Sequence, residues 1–217
     1  MNRTRLPARV VLLDWDGTLL NSYAADCRAF LAMFRAMRID WSVRELDAHY
    51  SPNWYEVYRA ARIPEAKWTQ ADRFWRVAYA REDPALLPGA RAVVRSLERD
   101  FRLAIVTSGS RSRVRRQLRE LELSSYFSAC VFAEDVPEKK PHPAPLKLAL
   151  ERLGAVPEEC VYVGDSPEDI EMARRARVRA VGVLGPFPTA KRIRAARPDI
   201  LLNSIRDLPR YVRGLPS

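Results

Sequence analysis

Short apolar runs that stop abruptly at polar turns constrain this chain more than any other feature. Val10–Leu13 is unbroken hydrophobic sequence and ends at Asp14. Leu103–Val106, Ala129–Ala133, Val161–Val163 and Ala180–Leu184 read the same way, and Ile200–Leu202 is a weaker sixth run. Runs of that length without polar alternation belong to strands buried on both faces. Helical patterns lie between them. Pro88–Glu98 carries Val93, Val94 and Leu97 on one side; Ser110–Leu121 carries Val114, Leu118 and Leu121 at spacings of four and three. Pro143–Leu153 and Pro167–Ala176 follow. Strands alternating with helices predict right-handed crossovers and an α/β fold, a Rossmann-like parallel sheet with helices on both faces.

The stretch from Ser22 to Leu87 breaks that rhythm. It holds no convincing strand. Ala24–Met37 has helical spacing through Cys27, Phe30, Leu31 and Phe34, and Trp54, Tyr55, Tyr58 and Ala61 repeat it. Trp68, Trp75 and Tyr79 follow more loosely, and four of the five tryptophans fall in this stretch. The expectation is a core domain of residues 1–21 and 88–217 and an all-helical cap of residues 22–87, inserted after the first strand. Such an aromatic stripe is mostly the cap's own packing, with Trp54–Tyr58 the part expected to reach a ligand.

Chemistry gathers at the strand ends. The first strand runs into Asp14-Trp15-Asp16-Gly17-Thr18-Leu19, so two carboxylates project into the crevice where open α/β sheets bind ligands. Gly17 permits a tight turn and close backbone approach. The second strand ends Val106-Thr107-Ser108-Gly109-Ser110, with hydroxyls and backbone N–H groups at a helix N-terminus, a natural phosphate cradle. Lys140-Pro141-His142-Pro143 follows the third strand. The fourth ends Gly164-Asp165-Ser166-Pro167-Glu168-Asp169, and Asp169 falls in the first turn of the next helix.

That ordered set resembles the haloacid dehalogenase superfamily, among its members with a helical cap the phosphoglycolate-phosphatase-like group. The likeness covers nearly the whole chain. Any one motif is weak and the ordered four are specific. The resemblance implies a phosphatase. Asp14 is then the nucleophile, and Asp16 protonates the leaving group and later activates water. A Mg²⁺ cofactor is held by Asp14, the backbone carbonyl of Asp16 and Asp165, with Asp169 at the metal or orienting Lys140 behind it. Thr107, Ser108, Gly17 and the backbone of Trp15 face the substrate phosphate, and Lys140 offsets the negative charge. Trp15 is bulky for its place, and its side chain is expected to point away or towards the cap.

The same comparison narrows the chemistry. Asp16 is absent from the dehalogenases, which favours phosphate esters over carbon–halogen bonds. Position 26 is Asp where the sugar phosphomutases carry His, and Lys67 lies outside any motif of the phosphonate-cleaving relatives. His142 and His49 are expected to be a loop and a cap-surface residue.

Composition excludes other classes. No stretch approaches the ~18 apolar residues of a membrane span. The run after the basic start is too short for a secretory leader. Three scattered cysteines form no metal pattern and no disulfide framework, so a reducing cytoplasm is the expected location. The net charge of +10 invites a second reading, a non-catalytic protein on this fold that contacts nucleic acid or another anionic partner through a basic core surface. Eight basic residues and no acid lie between Arg174 and Arg197. No nucleic-acid motif is present and every catalytic position is filled, so a small phosphorylated metabolite is the expected partner. The substrate, and whether the chain is monomer or dimer, stay open.

Overall fold

The computed structural model describes residues 9–215. Six strands form one parallel sheet in the order β3-β2-β1-β4-β5-β6. They are β1 (Val10–Leu13), β2 (Arg102–Val106), β3 (Ala129–Val131), β4 (Cys160–Gly164), β5 (Arg179–Val183) and β6 (Ile200–Leu202). The helices are α1 (Tyr23–Ala36), α2 (Val43–His49), α3 (Trp54–Ala60), α4 (Trp68–Tyr79), α5 (Ala90–Leu97), α6 (Arg111–Glu120), α7 (Ala144–Leu153), α8 (Pro167–Arg175), α9 (Ala190–Ala195) and α10 (Leu208–Arg213). The α/β class read from the sequence is the class found.

The central strands carry apolar side chains on both faces. Val11, Leu13, Ile105 and Val163 pack with the residues of α5 and α6 on one side. Val10, Leu12, Ala104 and Tyr162 pack with those of α7 and α8 on the other. The order of the sheet turns at β1, which pairs with β2 on one edge and β4 on the other. Leu13 is level with Ile105 and with Val163. The residues just past these strands therefore meet in one crevice, where doubly wound sheets hold ligands.

The helices α1 to α4 share a separate apolar cluster built on Phe30, Met33, Phe34, Val57 and Tyr58. α1 packs along α4. The two connections to the sheet domain are joined to each other. Leu20 pairs with Leu86 in an antiparallel bridge, Asn21 N–H donates to Ala85 O at 2.8 Å, and Leu87 N–H donates to Leu19 O at 2.8 Å. Across the crevice, Ser51 Oγ donates to Glu168 Oε1 at 3.0 Å and Tyr50 stacks on Phe187 with ring centroids 4.6 Å apart.

Three helices were not expected. α2, α9 and α10 have seven, six and six residues, too few for an apolar period to show. α8 ends with Arg177 at φ 61°, a left-handed position that glycine adopts more cheaply. The basic stretch is partly occupied locally: Arg174 donates to Ala196 O at 2.5 Å, Arg192 to Tyr50 O at 2.7 Å, and Arg179 is buried. No helix among the described residues is long and apolar enough to cross a membrane.

Candidate active site

Lys140 is the centre of the site. It is only 2% exposed, and a buried ammonium must spend all three protons. It does: Nζ lies 2.7 Å from Asp14 Oδ1, 2.8 Å from Asp169 Oδ1 and 2.8 Å from the Tyr162 hydroxyl. Burial alone would lower its pKa, and the two carboxylates outweigh burial and raise it. Lys140 is thus a fixed cation. Tyr162 in β4 completes the set, its hydroxyl 2.9 Å from Asp169 Oδ1 and 3.1 Å from Val106 O.

Asp169 reaches this lysine because α8 begins with a capping box. Ser166 Oγ accepts from Asp169 N, while Asp169 Oδ2 accepts from Ser166 N at 3.1 Å and from Ser166 Oγ at 2.7 Å. Gly164 leaves the room. A Cβ there would stand 2.3 Å from Asp169 Cγ.

Asp14, Asp165 and Asp169 offer carboxylate oxygens within 4.8 Å of one another, all buried. Asp165 Oδ2 is buried with no hydrogen-bond partner. Burial raises the pKa of Asp165 well above the carboxylate range, and the charges of Asp14 and Asp169 raise it further. Burial also raises Asp14, against the pull of Lys140. An orphaned oxygen among like charges fits a hard divalent cation bound through oxygen. Both oxygens of Asp169 are already engaged, whereas Asp165 Oδ2 is free. The side chain of Asp16 is not part of this acidic group. Gly17, at φ 78°, sits directly against Asp165, where a Cβ would come within 2.2 Å of Oδ2. Its missing side chain therefore makes room for Asp165.

The Trp15 side chain points away from the crevice. Its indole is fully buried in the sheet core, and Nε1 donates to Gln117 Oε1 at 2.9 Å. Strand periodicity carried one residue past β1 explains it: Val11, Leu13 and Trp15 share one face and one cluster. Its side chain makes no substrate contact.

Thr107, Ser108, Gly109 and Ser110 line the crevice where β2 gives way to α6. Thr107 Oγ1 accepts from Gly109 N at 2.9 Å, which fixes the turn and leaves the hydroxyl proton free to point outwards. His142 Nδ1 accepts from Ala144 N at 3.2 Å, a turn contact, and His49 stacks on Trp41 with centroids 5.5 Å apart.

Two residues to which sequence reasoning gave no place in the site dominate the other wall. Arg113, one turn into α6, grips Asp16 with both arms: Nη1 to Oδ1 at 2.9 Å and Nη2 to Oδ2 at 2.6 Å. Burial would raise the pKa of Asp16, and this guanidinium more than reverses it. Asp26, half-buried on α1, is raised to about 7 by burial and by the charge of Asp16, with Arg113 opposing. Its ordinary value is 3.8, so between about pH 4 and 7 the folded chain holds more protons than the unfolded one. Stability then falls as pH rises through that window. Water in the cavity screens part of the effect. Asp26→Asn removes the fall. It is expected to gain about 1 kcal/mol, roughly 2–4 °C in Tm, over the parent at about pH 8 and nothing at about pH 4, read by thermal melts.

The cavity enclosed by these groups measures about 330 Å³. That is the low end for ligand pockets and suits a small molecule. Its walls include Asp14, Asp16, Thr107, Lys140 and Asp165 from the strand ends and Trp54, Tyr55 and Tyr58 from the helical segment. Tyr58 Oη donates to Asp72 Oδ1 at 2.9 Å, so its hydroxyl is already engaged.

Comparison with known proteins agrees with this geometry. The model of the haloacid dehalogenase-like hydrolase family matches residues 11–183. The chain belongs to that family, and its relatives place it among the family's phosphatases. Pyrophosphatase PpaX of Oceanobacillus iheyensis is 28% identical over 204 residues, 92% of this chain and 94% of that protein. The phosphoglycolate phosphatase of Escherichia coli K12 is 35% identical over 130 residues, 59% of this chain and 52% of that protein. The crystal structure of a predicted phosphatase from Clostridium acetobutylicum superposes with a TM-score of 0.87 at 21% identity, covering 97% of this chain and all of that one, and shows the same fold.

Proposed function

We propose that the chain hydrolyses a small phosphate monoester with Mg²⁺ as cofactor, through a phosphoryl group carried on Asp14. The observation that carries this reading is the arrangement of Asp14, Asp165 and Lys140 around one crevice, with an orphaned carboxylate oxygen on Asp165. Asp14, Asp165 and the backbone carbonyl of Asp16 would hold the cation, and Asp169 holds Lys140. The bound cation supplies charge neutralisation and orientation for the phosphoryl oxygens.

The rest is done by side chains. The backbone N–H groups after Thr107 draw the phosphoryl oxygens in, and the charge of Lys140 offsets theirs. A carboxylate oxygen of Asp14 attacks phosphorus as the bond to the leaving oxygen breaks, and Asp16 gives that oxygen a proton. Water then attacks the phosphorus of the acyl phosphate. Asp16 takes its proton, the bond to Asp14 breaks, and inorganic phosphate leaves. Residues 22–87 cover the site as a cap and exclude bulk water, with the linked connections at Leu20 and Leu86 as the place where they pivot. The named relatives act on pyrophosphate and phosphoglycolate, both small and both phosphorylated, which the cavity also suits.

The test is a panel of phosphorylated metabolites, with p-nitrophenyl phosphate as reference. Phosphate release in Mg²⁺, lost in chelator and restored by added Mg²⁺, is expected. Absence of release from every member overturns the reading.

A further inference from the structure

Arg113 holds Asp16 in a way that works against proton transfer. Both carboxylate oxygens of Asp16 are occupied by its two Nη atoms. A proton has to leave from, and return to, one of those oxygens. Each oxygen keeps a second lone pair, but the guanidinium charge beside it opposes a proton placed there, so release of an arm eases the transfer. Bidentate ion pairs of this kind are among the stronger polar contacts, and thermal opening alone is an inefficient release. Nη1 also has Tyr79 Oη and Gln117 Oε1 at 3.4 Å, but both are neutral, and an anion receives the arm better.

The surroundings of Arg113 point to what that is. The side chain is 12% exposed, and what it faces is the same cavity that holds Asp14 and Thr107. Its Nε is buried without a partner, so a donor stands in reserve. The guanidinium lies 4.9 Å from the ring centre of Tyr79 and 6.0 Å from that of Trp75, two cap side chains that stack on each other. These faces brace the cation over the cavity when it shifts. A planar cation with a spare donor and an aromatic backing suits an incoming planar anion.

We propose that Arg113 anchors a second anionic group on the substrate, and that docking of this group draws the guanidinium off Asp16 and so frees Asp16 for proton transfer. The substrate class is then a phosphate monoester with a carboxylate or a second phosphoryl group close to the one that is removed. The exchange keeps the charge balance of a poorly hydrated site, because one anion replaces another on the same cation. It also makes catalysis conditional on the right ligand. This inference rests on the phosphomonoesterase reading for its kinetic consequence, whereas the anchoring contact itself is measurable without turnover.

The kinetic test compares 2-phosphoglycolate with 2-hydroxyethyl phosphate, which has the same length and lacks the second charge. The readout is the ratio of their kcat/KM values, which cancels any general loss of the variant. In the parent the ratio is expected to be about a hundred in favour of the carboxylate. In Arg113→Ala and Arg113→Gln it falls to about one, and Arg113→Lys keeps part of it. An unchanged ratio in the variants, or no preference in the parent, overturns the proposal and assigns Arg113 to positioning Asp16. Calorimetry supplies the second arm, with phosphonoacetate, methylenediphosphonate and methylphosphonate as non-hydrolysed probes. Either doubly anionic probe should bind the parent at least about tenfold more tightly than methylphosphonate, and this advantage should vanish in Arg113→Ala. Which of the two gains more identifies the second group. Tight, Arg113-dependent binding without phosphate release from any ester sinks the hydrolase reading alone. Turnover of both esters without discrimination sinks the anchor alone.

Discussion

Asp14→Asn abolishes turnover in this protein, with kcat expected to fall by about 10⁴-fold or more. An amide oxygen is a poor nucleophile, and no second carboxylate can take the place. Asp165 and Asp169 are in the same acidic group, yet both of Asp169's oxygens already accept hydrogen bonds and Asp165 comes from a different strand end. The substitution should not harm the fold. It removes a buried charge whose ionisation burial disfavours, and Lys140 keeps Asp169 and Tyr162 as partners. A circular dichroism spectrum like the parent's, with no phosphate release, is the expected pair of results. Asp16→Asn makes the sharper contrast. With p-nitrophenyl phosphate the leaving group needs little protonation, so the first step survives. The second step loses its base and slows by about 10²- to 10⁴-fold. Intact mass spectrometry should then show a phosphoryl adduct on Asp16→Asn and none on Asp14→Asn. An active Asp14→Asn enzyme would remove Asp14 from the reaction.

The strand ends were readable because each motif is local. Asp14, Thr107 and Asp165 lie within a residue or two of a strand that announces itself by unbroken apolar sequence. Lys140 was readable only through the resemblance to the family, since it sits in a loop well past β3. The residues passed over are those that tertiary packing brings in. Tyr162 reads as one more apolar residue of β4, and its hydroxyl matters only because Lys140 arrives from elsewhere. Arg113 lies in Arg111-Ser112-Arg113-Val114-Arg115-Arg116, where nothing in the pattern separates the inward arginine from its neighbours. One clue existed: Val114 and Leu118 mark the buried side of α6, and Gln117, four residues past Arg113, is buried there too. Asp26 was noticed only for what it is not. Its neighbours Ala25, Cys27 and Ala29 face the core, so helix geometry alone did not aim it at the crevice. Trp15 was readable, had the alternation of β1 been continued past Leu13.

Lys140→Met is expected to damage both stability and activity, and the two losses should separate with pH. Methionine fills nearly the same space, so packing changes little. The charge is what disappears. Asp14 and Asp169 are then left buried beside Asp165 without the cation that three short contacts now supply. Breaking a buried ion pair from one side costs about 3–5 kcal/mol. For a chain of this size that corresponds to a Tm drop of roughly 6–20 °C. The sign with pH follows from which form burial disfavours. Without Lys140, Asp14 loses the charge that pulls it down, and burial holds it further above its unfolded value. The folded variant then binds more protons than the unfolded one from about pH 4 upwards, so its stability falls as pH rises. The gap to the parent should be small near pH 4 and widest above pH 7. Adding Asp169→Asn to Lys140→Met removes one of the stranded charges. It should recover a measurable part of the stability while leaving turnover lost, because the proposed reaction also needs the charge of Lys140 against that of the phosphoryl group. If instead the double variant is destabilised by the sum of the single effects, the pair is not coupled, and the account of Lys140 as the counter-ion of this cluster is wrong.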